Sequence, residues 1–252
     1  MLTKTRHGEV LEIRLSRPPV NALTPELVAV LRDAVRVAPD GGSRAIVLSG
    51  APGVFSAGLD VPVLVGLERD AMTGFWRDFV DLLSVIGRSP IPIVAAVTGH
   101  SPAGGAVLAL YCDYRVMARG EYRIGLNEVQ VALAVPEVVQ FALRRLVGPH
   151  RAERLMVAGA MIEPDEALRV GLVDELADVD DVVARAVAWC RWHLDLPPDA
   201  MAETRRIARA DLADVLARAV RDESPEFVDR WFSTETQVRM NALVATLASK
   251  AG

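Results

Sequence analysis

Several kinds of residue are scarce in this chain, and each scarcity excludes a class of protein. Only two cysteines, Cys112 and Cys190, and four histidines occur among its 252 residues. Two cysteines cannot build a disulfide framework, and neither lies in a C-x-x-C pair. The histidines show no metal-ligand spacing, so we predict no metal site. The longest apolar run is far shorter than the ~20 residues that span a bilayer, so we expect no membrane partner.

An excess of positive charge is also missing. The formal net charge of −5 argues against nucleic acid or an anionic membrane as the main partner. Residues 1–6 carry no basic-then-apolar leader, so we expect a cytoplasmic protein. The composition, 51% hydrophobic and 24% charged, is typical of a globular protein with a substantial core.

The order of the predicted elements is that of an α/β protein. A helix is predicted to begin at Thr24-Pro25, with a hydroxyl N-cap and proline in the first helical position. The alternation of strands and helices favours parallel pairing with crossover helices. Strands are predicted over 9–15, 45–48, 91–97 and 114–117, and further helices over 69–86, 106–110 and 138–146.

From about residue 178 the sequence predicts helices and no strand. Their predicted ranges are 182–194, 200–210 and 227–248. We therefore divide the chain into an α/β core, 1–195, and a helical C-terminal region, 196–252. Helices without a sheet of their own need a surface to pack on, either this core or another subunit.

Two glycine-rich loops each follow a buried strand. Small residues let a ligand approach the backbone, and N–H groups at a helix N-terminus favour a negative oxygen. Side by side, the loops could form an oxyanion hole, or their glycines could only form tight turns; spacing alone leaves both open. The loops are Gly53-Val54-Phe55-Ser56-Ala57-Gly58-Leu59-Asp60 and Gly99-His100-Ser101-Pro102-Ala103-Gly104-Gly105.

The second loop imitates other catalytic motifs but does not satisfy them. Its Gly99-x-Ser101-x-Ala103 spacing is that of a hydrolase nucleophile elbow, in which the residue after serine donates an N–H group. Here that residue is Pro102, which has no N–H, so the sequence argues against a serine hydrolase. The chain also lacks a G-x-G-x-x-G fingerprint and the lysine of a P-loop.

Blocks spread along nearly the whole chain resemble the crotonase, or enoyl-CoA hydratase/isomerase, superfamily. The segment Ile124-Gly125-Leu126-Asn127-Glu128-Val129-Gln130 is most similar to its Δ3,Δ2-enoyl-CoA isomerases. The resemblance implies a spiral of ββα units with a helical C-terminal region that assembles a homotrimer or a dimer of trimers. The other blocks are Ser16-Arg17-Pro18-Pro19-Val20-Asn21-Ala22-Leu23, Phe55-Ser56-Ala57-Gly58-Leu59-Asp60, Pro102-Ala103-Gly104-Gly105, Cys112-Asp113-Tyr114-Arg115 and Ala167-Leu168-x-x-Gly171-Leu172-Val173-Asp174.

The same resemblance implies a site for an acyl-CoA thioester, which is the substrate; no separate cofactor is implied. The thioester oxygen would accept hydrogen bonds from the backbone N–H groups of Ala57 and Gly104. The residues that would line the thioester and pantetheine are Ala57, Gly58, Leu59, Asp60, Val61 and Gly104.

The carboxylates decide which reaction the resemblance favours. Hydratases of the superfamily use two glutamates, because water activation at C3 and protonation at C2 occur together. In this chain the first position is Val107 and the second is Glu128. One base suffices to move a 3-enoyl-CoA double bond to the trans-2 position, so we expect an isomerase, with fatty-acid β-oxidation as its setting. The alternatives are a hydratase or another crotonase-type activity, and a non-catalytic acyl-CoA-binding protein.

Two residues depart from the pattern of the superfamily. Ala132 stands where glycine is common, and it would either narrow a turn or reshape the acyl pocket. Glu137 stands where the isomerases carry an aromatic residue; it is either a first-turn helix acid or a second carboxylate near the acyl chain. Asp60 and Asp113 are interpreted as structural acids that bind loop backbone.

Overall fold

A computed structural model describes residues 1–222 and 225–251, with side chains through residue 249. No helix in that part of the chain has the length and apolar composition needed to cross a bilayer. The strands are β1 (Leu2–His7), β2 (Val10–Leu15), β3 (Ala45–Ser49), β4 (Gly53–Val54), β5 (Ile93–Val97), β6 (Gly99–Pro102), β7 (Tyr114–Ala118), β8 (Ile124–Gly125) and β9 (Glu175–Ala177). The helices are α1 (Pro25–Val37), α2 (Val61–Leu64), α3 (Arg69–Gly87), α4 (Gly104–Leu110), α5 (Glu137–Val147), α6 (Pro149–Val157), α7 (Pro164–Val170), α8 (Val182–Leu194), α9 (Pro198–Ala208), α10 (Ala210–Asp222), α11 (Pro225–Trp231) and α12 (Thr234–Ala251), with a 3-10 turn at Glu128–Val131.

The start of α1 shows how local sequence sets an element. The Leu27 N–H donates to the Thr24 hydroxyl at 3.2 Å, and Pro25 occupies the first turn. This confirms the predicted N-cap. Leu27, Leu31 and Val35, which share one helix face, are all buried.

Two sheets divide the strands between them. The larger sheet has the order β1-β2-β3-β5-β7-β9 and is parallel except for the β1–β2 pair; the smaller has the order β4-β6-β8 and is parallel. The chain repeatedly enters the large sheet, crosses to the small one and returns through a helix: β3-β4-α3, β5-β6-α4 and β7-β8-α5. This is the expected spiral of ββα units. It gathers the loops after β4, β6 and β8 on one side of the molecule.

The helical tail differs from the sequence prediction in two places. The single helix expected over 227–248 is wrong, because the chain breaks into α11 and α12 around Ser233. The Ser233 hydroxyl accepts the Thr236 N–H at 3.3 Å, as an N-cap residue does, and so starts a new helix. The sequence patterns also do not predict helix α10.

The tail packs on the core of its own chain. Leu212 and Leu216 of α10 are buried in the same hydrophobic cluster as the core helices. Arg205 and Arg209 reach Asp113 Oδ1 at 2.7 and 3.1 Å, while Asp113 Oδ2 accepts the Ile93 N–H at 2.8 Å. The sequence left two packing surfaces open, the core of this chain and another subunit, and the structure shows packing on the core. Residues 223, 224 and 252 of the region 196–252 lie outside the described residues.

Candidate active site

The first glycine-rich loop is braced by the segment that follows β2. Asn21, a buried residue at φ 52°, donates from Nδ2 to the Phe55 carbonyl at 3.1 Å and accepts the Arg17 N–H at 2.9 Å. In the other direction, the Ser56 hydroxyl donates to the Asn21 carbonyl at 2.8 Å. Since these groups are buried, each bond also avoids the cost of an unpaired polar atom. The loop is therefore held rigidly before any ligand arrives.

The hydrogen bonds of this loop decide which of its amides can face a ligand. The Ala57 N–H donates to the Val20 carbonyl at 2.9 Å, and the Asp60 N–H donates to the Leu23 carbonyl at 3.0 Å. The Leu59 N–H, in contrast, meets no acceptor among the described residues. The donor role expected for Ala57 therefore conflicts with the structure, because its amide is already engaged. Leu59, expected only to line the site, has the available amide.

The second glycine-rich loop makes a sharp turn from β6 into α4. Ala103 sits at the turn with φ 44° and ψ −119°, and its N–H donates to the Gly125 carbonyl at 2.8 Å. A non-glycine residue in such a conformation costs about 1–3 kcal/mol and persists only where its surroundings fix it. The turn leaves the Gly104 N–H, in the first helical position, without an acceptor in the described part of the chain.

The two available amides lie next to each other. A Cβ placed on Gly104 would lie 3.2 Å from the Leu59 nitrogen and 3.2 Å from the Gly58 Cα. A Cβ placed on Gly58, which has φ +83°, would lie 3.0 Å from the Gly104 nitrogen. Glycine at both positions therefore allows the two backbones to approach closely, in addition to making the turns. Such a pair of N–H groups can hold one anionic oxygen.

The two acids interpreted as structural do bind backbone. Asp60 Oδ1 accepts the Val63 N–H at 3.1 Å and caps α2, while its other oxygen pairs with Arg17 at 2.7 Å. Asp113 binds the Ile93 N–H, as described above. Val61, the last of the expected lining residues, begins α2 directly after Asp60.

Glu128 lies shortly after β8, the strand beside the second loop, because β8 pairs with β6 and the Gly125 carbonyl accepts the Ala103 N–H. It is the first residue of the 3-10 turn that follows β8. Its Oε2 atom is buried and has no hydrogen-bond partner among the residues described. Burial raises the pKa of the Glu128 carboxyl to about 7. A carboxyl that titrates near neutrality can both accept and return a proton at physiological pH.

The residues that depart from the superfamily pattern have distinct places. Glu137 is exposed in the first turn of α5, the position predicted for a helix acid. Ala132 ends the 3-10 turn in the left-handed conformation, with φ 61° and ψ 25°. It therefore makes the tight turn that glycine would make at lower cost. Val107 is buried in α4 and offers no titratable group.

The described residues do not form an activated serine nucleophile, a disulfide or a metal site. The Ser101 hydroxyl is buried without a partner in the described residues, so no histidine activates it. The two cysteines are buried and free. Across residues 1–222 and 225–251, no three His, Cys, Asp or Glu side chains are grouped so that they could hold a metal ion.

Comparison with known proteins agrees with this geometry. The family model for enoyl-CoA hydratase/isomerase matches residues 5–245. The mitochondrial enoyl-CoA delta isomerase 1 of Mus musculus is 32% identical over 246 residues, which cover 96% of this chain and 85% of that protein. A probable enoyl-CoA hydratase of Mycobacterium tuberculosis is 38% identical over 208 residues, 80% of this chain and 76% of that protein.

A solved structure extends the likeness to the whole fold. The crystal structure of human mitochondrial delta3-delta2-enoyl-CoA isomerase superposes with a TM-score of 0.93 at 30% identity, over 100% of this chain and 99% of that one. The resemblance drawn from the sequence blocks is thereby confirmed. The chain belongs to the enoyl-CoA hydratase/isomerase family and has the crotonase fold.

Proposed function

We propose that this protein isomerises 3-enoyl-CoA to trans-2-enoyl-CoA, with Glu128 as the single proton-transferring group. One observation carries the proposal: the half-buried Glu128 has a buried carboxyl oxygen, Oε2, with no hydrogen-bond partner among the described residues, and the apolar Val107 stands where a hydratase has its other glutamate. One such group is sufficient for isomerisation and insufficient for concerted hydration.

The proposed reaction moves one proton and one double bond. The ionised Glu128 removes a proton from C2, and the C–H electron pair is delocalised into the thioester as a dienolate. The protonated Glu128 then delivers the proton to C4, where the C3–C4 π pair of the dienolate forms the new C4–H bond. The C1–C2 π pair shifts to form the C2–C3 double bond, and an oxygen lone pair restores the thioester carbonyl. The enzyme ends in its starting protonation state, so no further reactant is needed.

Two backbone amides support the intermediate. The negative charge of the dienolate collects on the thioester oxygen, which we place between the N–H groups of Leu59 and Gly104. Removing one donor from a preorganised site of this kind typically costs about 10²–10³-fold in kcat. The braced loops favour this role, because donors fixed before the reaction need no reorganisation during it.

Hydration is the second candidate, and one observation favours it. The mycobacterial relative, 38% identical, is named a probable enoyl-CoA hydratase. Against it, Val107 is buried and supplies no proton. A non-catalytic acyl-CoA-binding protein is the third candidate, and the raised pKa of Glu128 counts against it, since binding alone does not need a carboxyl that titrates near neutrality.

The identity of the product separates these candidates. Trans-3-hexenoyl-CoA is incubated with the protein, and the products are resolved by chromatography and mass spectrometry. We expect trans-2-hexenoyl-CoA of unchanged mass. Trans-2-hexenoyl-CoA is offered as a second substrate; 3-hydroxyhexanoyl-CoA formed from it, heavier by one water, with no product from the 3-enoyl-CoA, would support the hydratase instead. Tight binding without any product would support the non-catalytic protein.

Further predictions accompany this function. Acyl-CoA is the substrate and no separate cofactor is required, so purified protein dialysed against chelator should keep its activity. The protein is expected to be cytoplasmic and to form a homotrimer or a dimer of trimers. Light scattering coupled to size-exclusion chromatography distinguishes those two assemblies from each other and from a monomer.

A further inference from the structure

The turn that carries Glu128 is held at two points by residues outside its own helical hydrogen bonds. On one side, Gln130 Nε2 donates to the Gly159 carbonyl at 3.0 Å. On the other, the Thr236 hydroxyl of α12 donates to the Ala132 carbonyl at 2.9 Å. Thr236 is completely buried, so water cannot replace this bond. The turn is therefore fixed by the core on one side and by the helical tail on the other.

The direction of the Thr236 bond is set by the cap of α12. The Thr236 N–H donates to the Ser233 hydroxyl at 3.3 Å, and that hydroxyl in turn donates to Thr236 Oγ1 at 3.0 Å. Because Thr236 Oγ1 accepts from Ser233, its own proton is directed to the Ala132 carbonyl. The same two side chains thus start the helix and secure the turn.

The Thr236 hydroxyl binds the one residue of the turn that has a positive φ, Ala132. Ala132 adopts φ 61°, a left-handed conformation that is strained for an alanine. The next residue, Leu133, donates its N–H to the Glu128 carbonyl at 3.1 Å, so Ala132 lies inside the loop that this bond closes on Glu128. A change in the Ala132 conformation would therefore move Glu128 as well.

We propose that Thr236 is a positioning residue for Glu128, acting through the Ala132 carbonyl and never touching the substrate. Helix α12 also contacts α2, which follows Leu59, so the tail borders both parts of the site. The proposal rests on the proton-transfer role of Glu128. It assigns to the helical tail a function in catalysis in addition to packing.

The test compares Thr236→Val, which removes the hydroxyl at nearly constant volume, with Thr236→Ser, which keeps it. Displacement of a catalytic group by about 1 Å can cost about 10²-fold, so we expect kcat of Thr236→Val to fall about 10- to 100-fold with little change in KM. Thr236→Ser should restore most of kcat. Thr246→Val is the matched control, because among the described residues the Thr246 hydroxyl binds only the Ala242 carbonyl of its own helix.

A second readout does not depend on activity. The pKa of the Glu128 carboxyl is measured by carbon NMR. In Thr236→Val this pKa should fall from about 7 toward the ordinary value of 4.5, because a loosened turn admits water. Thr236→Ala serves as a second hydroxyl-free variant if valine prevents folding. Wild-type kcat and an unshifted titration in a folded hydroxyl-free variant would overturn the proposal. An inactive wild type would contradict the proposed isomerase, and the titration would still decide the role of Thr236.

Discussion

The two halves of the candidate site are built from different materials. The oxyanion half consists of main-chain amides, those of Leu59 and Gly104, on loops braced from within the core by Asn21 and Ser56. The glutamate half consists of one side chain on a short turn that depends on the helical tail through Thr236. The first half should therefore tolerate changes of side chain but not an added Cβ. The second half should be sensitive to changes in its surroundings.

Within the oxyanion half of the site, the largest effect is expected from Gly58→Ala. The new Cβ would lie 3.0 Å from the Gly104 nitrogen and 3.1 Å from the Pro102 carbonyl oxygen, at a residue with φ +83°. We expect kcat/KM on a 3-enoyl-CoA to fall about 10²–10³-fold, as for the loss of one oxyanion donor.

Gly53→Ala is the control for backbone strain. Gly53 has φ +90°, but a Cβ there would meet nothing within 4 Å. It should incur a similar conformational cost and keep nearly full kcat/KM. Equal losses in the two variants would show that strain, and not crowding of the two amides, causes the effect.

A smaller effect is expected on stability when Glu128 is neutralised. The unfolded chain releases the Glu128 proton near pH 4.5, whereas the folded chain keeps it until about pH 7. The contribution of Glu128 to folding stability is therefore fully present below pH 4.5 and is lost as the pH rises through 7. Glu128→Gln removes this loss, so it should stabilise the protein at pH 8 by up to about 3 kcal/mol, at about 1.4 kcal/mol per pKa unit.

Urea unfolding at pH 5 and pH 8 measures this difference. The gain of Glu128→Gln over wild type should be small at pH 5 and larger at pH 8. Glu137→Gln, at an exposed acid, is the matched control variant. A gain that is equal at both pH values would mean that Glu128 is not desolvated in the folded protein.

The smallest effect is expected from Ala132→Gly. Glycine adopts φ 61° without the side-chain penalty of alanine, but it loses more backbone entropy on folding. The balance should stabilise the protein by about 0.5–1 kcal/mol, with kcat nearly unchanged while Thr236 holds the turn. Chemical denaturation and steady-state kinetics check both parts. A destabilised variant would show that the Ala132 methyl group contributes packing to the site.

The sequence predicts the elements whose signals are local. The N-cap at Thr24 and the doubly buried strand β3 follow from residue type and spacing alone. The small sheet does not, because β4 and β8 are two residues long and are defined only by their partners. The tail break at Ser233 has a local signal, a hydroxyl before Thr234-Glu235-Thr236, which the apolar periodicity around it outweighs.

The features of the candidate site also divide into those with a local sequence signal and those that depend on the folded structure. Sequence blocks point to the two loops and to Glu128, which the fold brings close together, but they do not distinguish Ala57 from Leu59. That distinction depends on the Val20 carbonyl, which lies 37 positions earlier in the chain and engages Ala57 only after folding. The burial of Glu128 and its link to Thr236 likewise depend on how the tail packs, which local patterns do not encode.

The most direct test of the central claim follows the conjugation of trans-3-hexenoyl-CoA by ultraviolet absorbance in wild type, Glu128→Gln and Glu137→Gln. If Glu128 is the proton-transferring group, the first substitution should lower kcat by about 10²–10⁴-fold, the usual contribution of general acid–base catalysis. Glu137→Gln should behave like wild type. Wild-type conversion by Glu128→Gln, or a loss confined to Glu137→Gln, would contradict the account.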